Sequence, residues 1–140
     1  MKKEVKVSWA GHLTFIGEAA SGNTLTMDAG TAVGGLGLGH SPMDLLLMGA
    51  GGCASIDVVM ILRKSRQDIV DCVCQVTGTR ADEPPKVYTD IHMHFVVTGN
   101  DVEEAAVKRA VELSMTKYCS ASLTLAKAAK LTYDWEIKEA

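Results

Sequence analysis

The chain has no excess of positive charge. Fourteen Lys and Arg stand against 17 Asp and Glu, giving a formal net charge of −3. Phosphate binding is driven by clustered basic side chains, so no nucleic-acid partner is expected. The amino terminus reads MKKEVKVSW, two lysines with no apolar run behind them, so no signal peptide is expected. No internal repeat or linker breaks the 140 residues, a length that fits one domain over 1–140 with a real core. The loop DAGTAVGGLGLGH, Asp28 to His40, is rich in glycine but lacks both the dinucleotide fingerprint and the P-loop lysine. It reads as a flexible loop leading into a helix, and no cofactor is implied.

Apolar residues make up 47% of the chain, which excludes a disordered protein. The most apolar stretch is Leu45 to Leu62, LLLMGAGGCASIDVVMIL. Its length is at the lower edge for a membrane span, but Asp57 would then lie in hydrocarbon, and no second such segment accompanies it. It is expected to be a central helix, buried on most sides, in a protein without a membrane partner. The expected compartment is the cytoplasm, where thiols stay reduced and a disulfide is catalytic or sensory.

Hydrophobic periodicity places the elements. Residues 4–9 alternate like a half-buried strand, followed by short strands over His12 to Ala19 and Asn23 to Met27. Ser41, Pro42 and Asp44 mark a helix start, with Asp44 at capping-box distance, and the helix is expected to run to about Ser65. Ile69 to Gly78 and Val87 to Thr98 read as paired strands, with Val70, Cys72, Cys74 and Val76 sharing one face. A second helix is expected from Asp101, capped with Glu104, to near Tyr118. Ser120 is expected to cap a third, and Leu131 to Ile137 closes the chain as a strand. The order βββ-α-ββ-αα-β specifies an α+β fold with long helices on antiparallel sheet.

Four cysteines fall into two contexts. Cys72 and Cys74 share a strand face with Val70 and Val76 that is expected to pack on the core, where buried cysteine acts as a small hydrophobe. A Cys-x-Cys pair can bind metal, but no second Cys or His pair at zinc-site spacing accompanies it, and no metal site is expected. His92 and His94 share the polar face of their strand and read as exposed strand residues. Cys53 differs, because it sits among Gly49, Ala50, Gly52 and Ala54 in a helix interior, where glycine costs roughly 1 kcal/mol relative to alanine. Those small residues let another element approach. Cys119 precedes a helix start, where a positive helix end favours thiolate. The two cysteines could meet as a redox pair, but spacing alone does not bring them together.

The stretches SPMDLLLMGAGGCASIDVV around Cys53 and KYCSASL around Cys119 resemble the OsmC/Ohr family of thiol-dependent hydroperoxide reductases, most closely its small OsmC-like branch. The resemblance covers nearly the whole chain. It implies an intertwined homodimer in which Cys53 is the peroxidatic cysteine and Cys119 the resolving one, acting on organic hydroperoxides in the oxidative stress response and regenerated by a dithiol reductant. Two departures stand out. The family's activating arginine comes from the amino-terminal strands, whereas the first arginine here is Arg63, ten residues beyond Cys53 or about 15 Å along a helix. The family's glutamate after the helix-start proline is replaced by Met43, with Asp44 one position later. His12, in the region that supplies the arginine, is the candidate substitute cation. The alternative implied by these departures is a noncatalytic dimeric module that binds a small apolar ligand or senses oxidation through Cys53.

Overall fold

The computed structural model describes all 140 residues. The chain forms two compact units, Met1–Leu46 and Leu47–Ala140. In the first, β1 (Val5–Trp9), β2 (Phe15–Ala19) and β3 (Thr24–Met27) make an antiparallel meander in that order. The strand expected from His12 begins only at Phe15. His12 takes a left-handed φ of 48°, next to Gly11 at 96°, and residues in that region turn the chain rather than extend it. The Trp9 indole N–H closes this turn on the His12 carbonyl at 2.8 Å. All five residues of β1 are exposed, which departs from the half-buried strand expected there.

The glycine loop is not free. Asp28 is buried, and its Oδ2 accepts hydrogen bonds from the Thr14 hydroxyl at 3.0 Å and the Leu38 amide at 3.1 Å. Burial works against the charged carboxylate. Hydrogen bonds from Leu38, Thr14 and the backbone of Ala29 and Leu36 outweigh it and hold the pKa below 3.8. His40 closes the far end, donating its amide to the Thr26 carbonyl and accepting from the Asp28 amide.

α1 (Pro42–Lys64) starts at the proline, as the Ser41-Pro42 signal specifies, with the Leu45 amide on the Ser41 carbonyl. It ends where Arg66 takes φ 59° and the Gln67 amide reaches back to the Leu62 carbonyl, a left-handed cap made without glycine. Only Ala50, Gly51, Ala54, Val58 and Leu62 are buried. The stripe recurs every three or four residues, so α1 buries one face rather than most sides. Leu46, Met48, Ile56 and Met60 lie exposed on it, and by length and hydropathy alone the helix could cross a membrane.

In the second unit, β4 (Asp68–Arg80) and β5 (Tyr88–Asn100) pair antiparallel, and β6 (Lys130–Glu139) joins the other side of β5 in parallel. The sheet is therefore mixed, within the α+β class expected. The parallel pairing follows from the connection. Residues 101–129 contain α2 (Glu104–Leu113), a π-helical turn (Ser114–Tyr118) and α3 (Ser120–Leu125), and such a helical crossover returns the chain to the end of the sheet where β5 began. Asp101 does not cap α2. It takes φ 50° and leaves the N-cap to Glu103, which makes no side-chain capping bond. Aspartate tolerates this left-handed position better than most residues.

The inner face of β5, Ile91, Met93, Phe95 and Val97, is fully buried along with Val58, Leu62, Val107 and Val111. On β4 a bulge between Ile69 and Asp71 turns Val70 outward, 60% exposed, so it leaves the face it was expected to share with Cys72 and Cys74. Gly78, opposite Ile91, is a point of close approach. A Cβ there would lie 2.5 and 2.8 Å from ring carbons of the buried Tyr88 and 3.1 Å from Leu47.

The outer face of β5 carries His92 and His94. The parallel register sets Thr132 beside His92 and Asp134 beside His94. His94 Nδ1 lies 2.7 Å and His92 Nε2 2.9 Å from the same Asp134 oxygen, His92 Nδ1 is 2.7 Å from the Thr132 hydroxyl, and His94 Nε2 is 3.4 Å from Glu136. Both carboxylates beside the two histidines come from β6. The hydrogen bond to Asp134 raises the His94 pKa above 6.5 against the pull of burial, with the charges of Asp134 and Glu136 adding to it. Asp134 is lowered in turn, chiefly by His94.

Two outcomes follow from this packing. Gly78→Ala is expected to lower the unfolding free energy by about 1–3 kcal/mol through overpacking against Tyr88, read as a fall in urea midpoint at unchanged slope. A histidine whose pKa is raised on folding stabilises fully below its unfolded pKa, near 6.5, and loses that contribution as pH rises through the folded value. The stability difference between the wild type and His94→Gln, measured by urea titration, is therefore expected to be larger at pH 6 than at pH 8.

Candidate thiol site

The site is built where α1 meets the end of α2. Cys53 lies midway along α1 and is half-buried; Cys119 follows the π-helical turn and is fully buried. Both are free thiols. The turn is what delivers Cys119. Its amide donates to the Ser114 carbonyl, five residues back, at 2.8 Å. Ser114 is itself buried, and its hydroxyl reaches α1, 3.2 Å from the Ala54 carbonyl and 3.1 Å from Asp57 Oδ2. One serine therefore ties the residue next to Cys53 to the backbone of Cys119. Asp57, one turn beyond Cys53, spends its carboxylate on this contact.

Cys119, not Ser120, caps α3. Its sulfur accepts the Ser122 amide at 3.4 Å, the place a serine or threonine oxygen would fill in an ordinary cap. The Ser122 hydroxyl is 2.9 Å from the same sulfur, and the Ala50 carbonyl is 3.8 Å away. Burial pushes the Cys119 thiol up, the Ser122 hydroxyl and amide pull it down, and the neighbouring Cys53 thiol raises it again. The structure thus brings the two sequence candidates together.

Gly51 explains part of the small-residue cluster. A Cβ on it would lie 2.9 Å from Val76 Cγ2 and 3.9 Å from Cys74 Sγ, so the glycine lets α1 settle onto β4. Gly49 and Gly52 face open space instead. Cys74, assigned to core packing by its strand alternation, is half-buried beside this site. Burial, with Cys72 and Cys119 nearby, pushes its pKa up to about 12, against a hydrogen bond from Ser55. Cys72 is raised too, by burial first and then by Asp71. Both thiols stay protonated near neutral pH. His92 and His94 occupy the opposite face of the sheet from Met93, whose sulfur touches Ser122, so no histidine of β5 can join Cys119 as a ligand.

The two auxiliary candidates belong to the amino-terminal unit. His12 is exposed in the β1–β2 turn, and Asp44 is exposed in the first turn of α1, roughly two and a half turns before Cys53. Arg109 lines a cleft of about 380 Å³ with Asp57, Met60, Leu113 and Tyr118. Sequence reasoning missed Ser114 and Ser122. Ser122 had a usable signal, because a cap residue and a serine three positions on have capping-box spacing when Cys119 is read as the cap. Ser114 had none, since its partners lie about sixty residues away in the chain.

A family model described as "OsmC-like protein" matches residues 35–134. Protein YhfA of Escherichia coli is 48% identical over 134 residues, covering 96% of this chain and 97% of that protein. The crystal structure of a hypothetical protein from Aquifex aeolicus superposes with a TM-score of 0.88 at 33% identity, covering 100% of this chain and 98% of the other. An organic hydroperoxide resistance protein OsmC from Legionella pneumophila superposes with a TM-score of 0.73, covering 97% of each chain; at 15% identity this is a likeness of fold.

Proposed function

The chain belongs to the OsmC-like protein family, and from that premise we propose that it is a thiol-dependent peroxidase in which Cys53 reduces organic hydroperoxides and Cys119 resolves the product. The observation that supports this reading is the pair itself: Cys53 is half-buried on α1, and the buried Cys119 sulfur lies 3.8 Å from the carbonyl of Ala50, one helical turn before Cys53, near enough for Cys53 to act on the Cys119 thiol. The half-buried first cysteine is the one open to peroxide, and the buried second is placed to condense with what forms there. The Cys53 thiolate attacks the peroxide, the O–O bond breaks, an alcohol leaves, and the sulfur becomes a sulfenic acid. Cys119 then attacks the Cys53 sulfur; the S–O bond breaks, water leaves and a disulfide forms. A dithiol reductant opens it by exchange. The apolar side chains around the thiols favour fatty or aryl hydroperoxides.

A second reading is favoured by one observation. No arginine precedes Arg63, so the amino-terminal strands bring no guanidinium to a thiolate. On this reading the protein is a noncatalytic module that holds a small apolar ligand or senses oxidation at Cys53. Under either reading residues 1–140 act as one OsmC-like domain in the cytoplasm, and two chains form an intertwined homodimer. OsmC and Ohr proteins are generally dimeric. The exposed apolar stripe of α1, the open surface at Gly49 and Gly52, and the exposed Val5, Val7 and Trp9 of β1 support the same assembly here.

Two measurements test these statements. Reduced protein mixed with stoichiometric cumene hydroperoxide is expected to lose two of its 4 thiols rapidly. Cys53→Ser is expected to lose none faster than free cysteine, and Cys119→Ser only one. Wild-type protein that reacts no faster than free cysteine would sink the peroxidase reading. Light scattering is expected to give about twice the 14.9 kDa chain mass, and Ile56→Lys with Met60→Lys to return it to one chain while circular dichroism stays native. A monomeric wild type would refute the dimer.

A further inference from the structure

Ser122 is a fully buried hydroxyl placed between two sulfurs. The Cys119 thiol donates to Ser122 Oγ at 2.9 Å, and the Ser122 hydroxyl donates to Met93 Sδ at 3.6 Å. The Ser122 amide donates back to the Cys119 sulfur at 3.4 Å. A thioether is a weak acceptor, whereas a hydroxyl is one donor on a free rotor. The hydroxyl hydrogen is therefore held by the weakest acceptor available, and turning it away from Met93 costs little.

We propose that Ser122 is a hydroxyl rotor serving the resolving thiol: as Cys119 loses its proton, the Ser122 hydroxyl swings from Met93 onto the sulfur and, with the Ser122 amide, holds the thiolate. This rests on the reading that Cys119 resolves Cys53. The need is physical. Cys119 is buried, and the groups acting on its thiol are Ser122 and Cys53, neither of them a cation. A buried anion is costly unless hydrogen-bonded, and bonds to an ionised acceptor are about twice as strong as neutral ones. In the resting state Cys119 donates; in the reacting state it accepts, and one rotation makes the exchange.

The step balances without an added reagent. Cys53–SOH and Cys119–SH yield the disulfide and water, the Cys119 proton leaving with the sulfenic hydroxyl. Ser122 keeps its own proton throughout. The same two donors act in reverse. When a dithiol attacks the Cys53 sulfur, Cys119 departs as a thiolate, and a leaving thiol of lower pKa departs faster.

The experiment separates the steps. In Ser122→Ala, oxidation of Cys53 by cumene hydroperoxide, trapped as the sulfenic acid, is expected at the wild-type rate. Disulfide closure is expected about tenfold slower or more, for the loss of one charge-assisted hydrogen bond. Cleavage by dithiothreitol of the disulfide made with diamide is expected to slow to the same degree, and ultraviolet thiolate titration in a Cys53→Ser background to place Cys119 higher. Met93→Leu, a volume-conserving change, removes the resting acceptor; its Cys119 pKa is expected to fall and its disulfide to open faster. Closure and cleavage at wild-type rates in Ser122→Ala would overturn the rotor, as would an unmoved Cys119 titration in Met93→Leu should the alanine variant fail to fold. The diamide arm uses no peroxide. Slowed cleavage in a protein inert to hydroperoxide would therefore refute the peroxidase reading and leave Ser122 in its role, whereas brisk peroxide reduction with unchanged cleavage would do the reverse.

Discussion

The Ser114 hydroxyl, bonded to the Ala54 carbonyl and the Asp57 carboxylate, holds α1 and the turn after α2 in one geometry. Its carbonyl fixes the amide of Cys119, so the two ends of the thiol pair share a single anchor. A buried hydroxyl is expensive unless paired, and here its one proton is shared between two acceptors on α1. The π-helical turn follows from the same constraint. An α-helical continuation of α2 would give the Cys119 amide a partner four residues back; the wider turn sets it on Ser114 and releases the chain into α3 with the sulfur as its cap.

The surrounding packing serves that anchor. Gly51 lets α1 rest on β4 beside Cys74, and the buried face of β5 presents Met93 to Ser122. Polar atoms at this point of the core are few, and they face one another: two serines, two thiols, a thioether and two carbonyls. Satisfied in this way, such a network specifies one arrangement of helices against the sheet more sharply than apolar contacts alone. Asp57 is the one carboxylate that joins this network, through Ser114; other charged groups lie on the outer face of the sheet and in the glycine loop around Asp28.

Local chemistry made much of this legible in the sequence. Ser41 and Pro42 mark the start of α1 because a cap and a fixed φ act within one turn, and the alternation of β5 exposes its inner face because strand geometry has period two. What failed to show depends on distant partners. Alternation is silent about direction, so the parallel docking of β6 and the meeting of His94 with Asp134 stayed hidden. The bulge at Val70 and the left-handed Asp101 are settled by where the next element must go. The cysteines were picked out by glycines around Cys53, a helix start after Cys119 and the family resemblance. That the two become neighbours could come only from the fold.

The crossover from β5 to β6 carries Cys119, and this links the assembly of the site to the assembly of the sheet. β4 and β5 can pair as a local hairpin early, with Cys72 and Cys74 already in register. β6 can add only after α2, the turn and α3 have packed, because a parallel neighbour must be reached through its helices and long-range pairings form late. A chain caught with only the hairpin has a strand edge open to other chains and no Cys119 near Cys53. Completing the sheet and bringing the two cysteines together are then one event, so a nascent or partly unfolded molecule holds Cys53 without Cys119 as its neighbour.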